Sequence, residues 1–327
     1  MPAGPVLITS EPSTKKFQAR AKRLGFRCAR ALSHRSGRVP VLMYHRIHEE
    51  PDVLNISPER FAAQMRLLRE CFSPISLSEL VAHLHWGRPL PPDAVVVTFD
   101  DGYRDNYTHA FPILKAYDIP ATFFVTTGMI GERRHFWWDR VRRGLKPVAE
   151  VTAVWPELGH RLQGRSHDEQ VRLVCAALKT LDTATARERL ERLCDPVVPD
   201  VRQTMTWEEL REMAAEGMEI GSHTVTHPIL ANQDPEEAAW EIQHSKETLE
   251  RELDRPVRHF AYPNGRMVDF SPTLMALIEG VGYQSACSTV TGYASLRSSR
   301  FALERIGVCG GESFRRFLIQ VSGFQGA

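Results

Sequence analysis

The sequence has no long hydrophobic run among its 327 residues, although 43% of them are apolar. Its most apolar runs, including Ala94–Thr98 and Thr122–Thr127, have the length of strands. A membrane-spanning helix needs about 20 apolar residues, so we expect no integral membrane segment. The first residues also lack the apolar stretch of about 7–15 residues found in a secretory signal peptide, which predicts a cytoplasmic protein.

Cysteine is sparse, and the six cysteines include no Cys-x-x-Cys pair. This absence excludes a zinc knuckle and a thioredoxin-type redox site, and in the cytoplasm we expect the thiols to be reduced. No strand-like run is followed by Gly-x-Gly-x-x-Gly or by Gly-x-x-x-x-Gly-Lys-Ser/Thr. The dinucleotide-binding and P-loop classes are therefore excluded.

The chain has no overall excess of charge, with 41 basic and 40 acidic residues. The charge is unevenly distributed, because residues 1–40 contain nine Lys and Arg residues and one acidic residue. The remaining residues carry a net charge of −7 and lack the basic face of a nucleic-acid-binding protein, so no nucleic-acid partner is expected. We divide the chain into a basic extension, residues 1–38, and a folded domain, residues 39–327.

Residues 15–31 of the extension have the pattern of a basic amphipathic helix. Its apolar positions follow helical spacing and are Phe17, Ala21, Leu24, Cys28 and Ala31. Basic residues flank this narrow apolar face, as in helices that lie in a membrane interface. The pattern predicts peripheral contact with the inner face of a membrane. The alternatives are a helix packed on the folded domain and a disordered basic tail.

From residue 39 onward, short apolar strands alternate with helices, which is the spacing of βαβ units. The predicted strands are Val39–Tyr44, Ala94–Thr98, Ala121–Thr126, Met218–Gly221, Arg258–Ala261 and Tyr283–Ser288. The predicted helices are Pro58–Cys71, Leu77–His85, Ala110–Tyr117, Trp207–Glu216, Pro235–Leu253, Thr273–Glu279 and Ser313–Val321. The predicted N-caps are Ser57 for the first helix, Ser76 or Ser78 for the second, and Asp234 for the helix from Pro235. We predict an α/β fold, a distorted or incomplete (β/α) barrel of about six or seven parallel strands. Residues 131–203 are predicted to form a mostly helical insertion.

Polar residues follow several predicted strands, at the edge where a parallel barrel opens into its active site. Asp100 and Asp101 follow one strand, His223 and His227 follow another, and His45 follows the first. Two imidazoles and one carboxylate suit a hydrolytic divalent-metal site with open positions. The other carboxylate of the Asp pair is then available for proton transfer. The alternatives are a structural turn at Asp-Asp-Gly and a surface pair of histidines.

Three motifs resemble those of the polysaccharide deacetylase family, carbohydrate esterase family four. They are Thr98–Gly102 (TFDDG), Ser222–Pro228 (SHTVTHP) and Phe260–Gly265 (FAYPNG), and they occur in the family order. The resemblance covers residues 39–130 and 204–308. It implies that Asp100 is the catalytic base and that Asp101, His223 and His227 are the protein ligands of the metal.

Two departures from the family pattern concern the other catalytic groups. Asn264 follows Pro263 where many members have Tyr, and the resemblance implies that the backbone N–H of Asn264 helps to form the oxyanion hole. No Leu-x-His motif follows Arg305, whereas Met43–Ile47 (MYHRI) resembles the N-terminal Tyr-His motif of the circularly permuted subgroup. This resemblance implies that His45 is the general acid. The alternative is a His45 that only forms a hydrogen bond in the core.

Other candidates rest on position alone. Arg305 either orients Asp100 through a charge-assisted hydrogen bond or lies on the surface. Arg104 follows the Asp pair and is a candidate substrate contact. Phe136–Trp138 (FWW) opens the insertion and either stacks on sugar rings or, as we expect, anchors the insertion to the barrel.

The expected activity is metal-dependent removal of N-acetyl groups from an amino-sugar-containing glycan or glycolipid, with release of acetate. One divalent ion is expected, with Zn²⁺ preferred over Co²⁺, Ni²⁺ and Mn²⁺. Membrane binding by the extension would suit an N-acetylated sugar substrate that is lipid-linked. The alternatives are a de-O-acetylase, a non-sugar amide hydrolase using the same site, and a carbohydrate-binding pseudoenzyme.

Overall fold

The structure, a computed structural model, describes residues 37–50, 52, 54–197 and 202–323. Within these residues, seven parallel strands close into a barrel, because the first strand, Val41–Tyr44, pairs with both Ala94–Phe99 and the last strand, Leu303–Gly307. The barrel strands are β1 (Val41–Tyr44), β5 (Ala94–Phe99), β6 (Thr122–Val125), β7 (Glu219–Ser222), β8 (His259–Ala261), β9 (Ser285–Thr291) and β10 (Leu303–Gly307). The predicted (β/α) barrel is confirmed.

Three shorter strands lie outside the barrel ring. β4 (Ser73–Pro74) pairs with the start of β5, and β2 (Arg46–Ile47) pairs with β3 (Asn55–Ile56) in a separate small sheet. The strands of the barrel are short and rich in β-branched and aromatic residues, as expected of strands covered on both faces. All six residues of β5 are buried.

Alternate strand residues contribute to two separate cores. Val96 and Phe124 belong to the core inside the barrel, whereas Val97 and Phe123 belong to the layer between the strands and the surrounding helices. Gly221 on β7 is required by this packing, because a Cβ atom there would lie 2.5 Å from the Phe124 ring. The filled interior leaves the carboxyl ends of the strands as the open edge of the barrel.

Twelve α-helices lie in the described part of the chain. They are α1 (Pro58–Cys71), α2 (Leu77–Trp86), α3 (Phe111–Ala116), α4 (Trp137–Gly144), α5 (Val148–Val154), α6 (Pro156–Leu162), α7 (His167–Leu178), α8 (Thr183–Leu193), α9 (Trp207–Ala215), α10 (Pro235–Leu253), α11 (Pro272–Gly280) and α12 (Phe314–Ser322). As predicted, Ser57 caps α1, and Ser76 caps α2 by exchanging hydrogen bonds with Glu79. The second cap candidate, Ser78, instead contacts the ring of His259.

Helices α4–α8 all lie between β6 and β7. They share a hydrophobic cluster of their own, which includes Val141, Val174 and Leu193. The helical character predicted for residues 131–203 is therefore seen in the part of that range that the structure describes. The division into an extension and a catalytic domain stays a prediction, since the helix predicted over residues 15–31 lies outside the described residues.

Several predicted elements differ from the structure. β10 was not predicted, because its central residue is Arg305 and a charged residue is unusual in a buried strand. The predicted helix Ala110–Tyr117 contains α3 but begins within a π-helical turn, Asn106–Ala110. α10 begins at Pro235 as predicted, although the Asp234 side chain forms no capping hydrogen bond within the described residues. In the same part of the chain, no helix is both long and apolar enough to span a membrane.

Candidate active site

The carboxyl ends of the barrel strands border a cavity of about 1370 Å³. Asp100 and Asp101 follow β5, His223 follows β7, His45 follows β1 and Asn264 lies after β8, and all five line the cavity. Strand closure thus brings together residues that are far apart in the sequence. The insertion supplies part of the same cavity wall through α4 and α7.

Asp101, His223 and His227 form a compact cluster of donor atoms. The Oδ1 atom of Asp101 lies 3.5 Å from Nε2 of His223 and 3.3 Å from Nε2 of His227. All three side chains are buried, and the donor atoms lie within 4.8 Å of one another. Two imidazole nitrogens and one carboxylate oxygen are a donor set suited to a divalent transition metal with positions left for water and substrate. The residues therefore fit the predicted metal.

Hydrogen bonding and burial set the orientation and the protonation state of these side chains. Nδ1 of His223 is 2.7 Å from the carbonyl oxygen of Ala261, which turns Nε2 toward Asp101. Burial lowers the pKa of His227 and so favours the neutral imidazole that binds metals. Burial opposes the negative charge of Asp101, but hydrogen bonds with the two histidines hold the pKa of its carboxyl well below its usual range.

The backbone at the cluster is strained. Asp101, Thr224 and His227 have φ angles of 77°, 68° and 63°, in the left-handed region that costs a non-glycine residue about 1–3 kcal/mol. The Glu241 carboxylate on α10 supports the histidine loop, because it accepts hydrogen bonds from the N–H groups of Val225 at 2.7 Å and Thr226 at 2.9 Å. The surrounding structure thus holds the loop in a shape that the chain alone does not favour.

Asp100 is held by Arg305. The guanidinium donates two hydrogen bonds to the carboxylate, at 2.7 and 2.6 Å, and both side chains are buried. Arg305 also donates to the carbonyl oxygen of Ser288 at 2.7 Å. Burial acts to raise the pKa of Asp100, but the charge and hydrogen bonds of Arg305, with the nearby histidines, together hold that pKa below its ordinary value. The expected contact between the two residues is present, and the surface alternative for Arg305 is wrong.

His45 and Asn264 both line the cavity, the first after β1 and the second after β8. The His45 side chain is half-buried and has no hydrogen-bond partner among the described residues, while its carbonyl oxygen accepts from Asn106 at 2.8 Å. Asn264 has a φ angle of 59°, and its N–H has no partner in the same part of the chain. Both placements leave these groups available to a substrate, and their catalytic roles stay predictions.

Arg104 does not line the cavity. Its side chain pairs with Glu209 on α9 at 2.9 Å, and the substrate contact expected of Arg104 stays a prediction. The aromatic residues at the start of the insertion pack near the cluster. Phe136 and Trp138 pack around His227, which favours the anchoring interpretation, and Trp137 and Trp138 also line the cavity.

Sequence reasoning missed two residues beside the cluster. Tyr103 is fully buried directly after the TFDDG motif, and its hydroxyl donates a hydrogen bond to Asp139 on α4 at 2.9 Å. Burial raises the pKa of Asp139 to about 6 although the Tyr103 hydrogen bond opposes the shift. Because Tyr103 directly follows the motif, its place beside the site could have been predicted from the sequence. No feature of the sequence indicates that Asp139 lies at the cavity.

The fold and the site define a class, the (β/α)-barrel hydrolases with a buried His-His-Asp cluster at the strand ends. Residues 87–286 match the sequence profile of the family described as polysaccharide deacetylase. This match covers more than half of the chain, so the protein belongs to the polysaccharide deacetylase family.

Solved structures share the fold. The Streptococcus pyogenes deacetylase PplD superposes with a TM-score of 0.61 at 23% identity, over 87% of this chain and 98% of that one. IcaB from Ammonifex degensii superposes with a TM-score of 0.58 at 21% identity, over 88% of this chain and 97% of that one. At these identities the likeness concerns the fold.

Two curated relatives extend the comparison. YxkH of Bacillus subtilis (strain 168) is 24% identical over 286 residues, which is 87% of this chain and 76% of YxkH. The poly-β-1,6-N-acetyl-D-glucosamine N-deacetylase of Staphylococcus aureus (strain MSSA476) is 28% identical over 130 residues. That match spans 39% of this chain and 44% of the S. aureus protein.

Proposed function

We propose that this protein is a metal-dependent deacetylase that removes N-acetyl groups from an amino-sugar-containing glycan and releases acetate. The observation that carries the proposal is the buried Asp101–His223–His227 cluster beside the Asp100–Arg305 pair in one cavity. The name of the S. aureus relative supports a substrate built from N-acetylglucosamine.

Asp101, His223 and His227 would hold one divalent ion, and the nitrogen-rich donor set favours Zn²⁺, with Co²⁺, Ni²⁺ or Mn²⁺ as the alternatives. When bound, such an ion polarises a carbonyl group and lowers the pKa of water from about 15.7 toward about 7. The burial of all three ligands fixes their geometry before the ion arrives, because their side chains have little freedom to rotate.

Asp100 accepts the proton of the water that attacks the acetyl carbonyl. Its charged form is the one that accepts a proton, and Arg305 both preserves that charge and fixes the plane of the carboxylate. The N–H of Asn264 stabilises the oxyanion, a kind of contribution worth about 10²–10³ in rate elsewhere. His45 donates a proton to the departing amine, so that the C–N bond breaks without forming an amide anion.

The deciding experiment measures acetate release from β-1,6-linked N-acetylglucosamine oligomers, with bound metal measured in the same samples. We expect release that a chelator stops and that added Zn²⁺ restores. Asp101→Ala and His223→Ala should lose the metal, whereas Asp100→Asn should keep the metal and lose turnover. Metal-loaded protein that releases acetate from O-acetylated but not N-acetylated sugars would replace the proposal with the de-O-acetylase alternative.

A further inference from the structure

The two histidines of the cluster are held in different ways. A metal-binding histidine usually donates its second ring N–H to a carbonyl or carboxylate, which fixes the ring. His223 follows this rule through the carbonyl oxygen of Ala261. Nδ1 of His227 is buried and has no hydrogen-bond partner within the described residues. Nε2 of His227 faces Asp101, so the Nδ1 side of the ring is the side that packing must hold.

Aromatic rings from the insertion provide that packing. The Trp138 ring lies 4.6 Å from the His227 ring, centroid to centroid, at an angle of 60°. Phe136 stacks on Trp138, with centroids 4.5 Å apart and planes 9° from parallel, and its own ring centroid lies 6.1 Å from that of His227. Edge-to-face contacts of this kind are worth about 0.5–1.5 kcal/mol beyond the buried area, and they depend on the angle between the rings.

A hydrogen-bond chain fixes Trp138 in turn. Nε1–H of Trp138 donates to the hydroxyl oxygen of Tyr103 at 2.8 Å, and that hydroxyl donates to Asp139 at 2.9 Å. The guanidinium of Arg46 covers the Tyr103 ring at 4.4 Å and pairs with Asp105 at 2.8 Å. Since the Tyr103 hydroxyl has one proton, each bond in the chain has a defined direction.

We propose that the first turn of α4 positions His227, with the Trp138 ring replacing the hydrogen bond that the His227 ring lacks. Trp138 and Asp139 belong to the insertion, whereas Tyr103 follows the aspartate motif on the barrel. The insertion thus contributes to metal binding without supplying a ligand. Trp138, Tyr103 and Asp139 are positioning residues, and this inference rests on the proposed metal site.

The test compares two tryptophans of the insertion in the full-length protein. Trp138→Leu should weaken Zn²⁺ binding by about 10–100-fold, the usual cost of losing a group that orients a ligand. Trp155→Leu is the matched control and should leave the Zn²⁺ affinity unchanged, because the Trp155 ring packs on the hydrophobic cluster of the insertion beneath Arg189 and does not line the cavity. Affinity is measured by competition with a chelator, after circular dichroism has shown that each variant is folded.

A second pair of variants covers the case in which Trp138→Leu fails to fold. Trp138→Phe keeps an aromatic ring and loses Nε1–H, and Tyr103→Phe removes only the hydroxyl. Each should weaken Zn²⁺ binding less than Trp138→Leu and should change the visible spectrum of the Co²⁺-loaded protein, which reports ligand geometry. Folded variants with the wild-type affinity and Co²⁺ spectrum would overturn the inference.

Metal binding by the wild-type protein and by the ligand variant His227→Ala separates this inference from the proposed function. If His227→Ala loses the metal and the Trp138 variants do not, the metal site stands and the positioning role is wrong. If wild-type protein binds no divalent ion, the proposed metal site is wrong, and the positioning role is wrong with it.

Discussion

Arg305 is a single residue on which both stability and chemistry depend. It is fully buried and its only carboxylate partner among the described residues is Asp100. Arg305→Met would leave the Asp100 charge buried and unpaired, which typically costs about 3–5 kcal/mol of unfolding free energy. Urea denaturation should show that loss. Arg69→Met, which breaks an exposed pair with Asp118, is the control and should cost less than about 1 kcal/mol.

The double variant Arg305→Met with Asp100→Asn removes both charges. It should recover part of the stability lost in Arg305→Met, because the uncompensated charge is gone. No recovery would mean that Arg305 acts through its packing and not through Asp100.

The Asp100 carboxyl also makes a defined contribution to the pH dependence of stability. Its pKa is lower in the folded protein than the ordinary value of 3.8. A group of this kind stabilises the fold at pH values above its unfolded pKa, and the contribution is lost as the pH falls below 3.8 toward the folded pKa. Between pH 5 and pH 3, metal-free wild-type protein should therefore lose more unfolding free energy than metal-free Asp100→Asn. Equal losses would contradict the assignment.

The role of His45 is tested by changing the leaving group. An amine leaves only when it is protonated, whereas the phenolate of an activated aryl acetate leaves without a proton. His45→Ala should slow amide hydrolysis by about 10²–10⁴ and should slow aryl acetate hydrolysis far less. Equal losses on both substrates would show that His45 has a structural role.

Helix α10 supports the loop that carries the two histidines. The buried Glu241 carboxylate accepts the N–H groups of Val225 and Thr226 and the Thr226 hydroxyl. Glu241→Gln replaces one of the accepting oxygens with a donor, so we expect a loss of about 1–3 kcal/mol and weaker Zn²⁺ binding. Gln243→Ala on the exposed face of α10 is the control. Wild-type stability and affinity in Glu241→Gln would refute the supporting role.

The elements show where sequence reasoning succeeds. β5 was predictable because its residues form a continuous apolar run of strand length, and α1 was predictable because Ser57 and Pro58 define its start. β10 was not predictable from the sequence. Its buried Arg305 is explained only by the pairing with the Asp100 carboxylate, which is 205 residues away in the sequence. The donor residues could be found from their motifs, whereas the contact between Trp138 and His227 arises only from the packing of α4.

The whole molecule has an asymmetric distribution of charge, with nine basic residues and one acidic residue in positions 1–40 and a net −7 over the remainder. Attraction of the protein to an anionic surface would therefore be concentrated at the basic extension. Each basic residue near an anionic membrane contributes about 1 kcal/mol, and salt screens the attraction. The amphipathic pattern over residues 15–31 adds a narrow apolar face, so we predict weak and salt-sensitive membrane binding.

Co-sedimentation with vesicles containing anionic lipid tests this prediction. The full chain should pellet at low salt and less at high salt, whereas a chain beginning at Val39 should stay in the supernatant at both. Leu24→Glu in the full chain is the matched variant, because it keeps the basic residues and interrupts the apolar face. It should reduce pelleting while leaving acetate release from soluble oligomers unchanged. Equal pelleting of the full and shortened chains would eliminate membrane binding through residues 15–31 and leave the catalytic proposal intact.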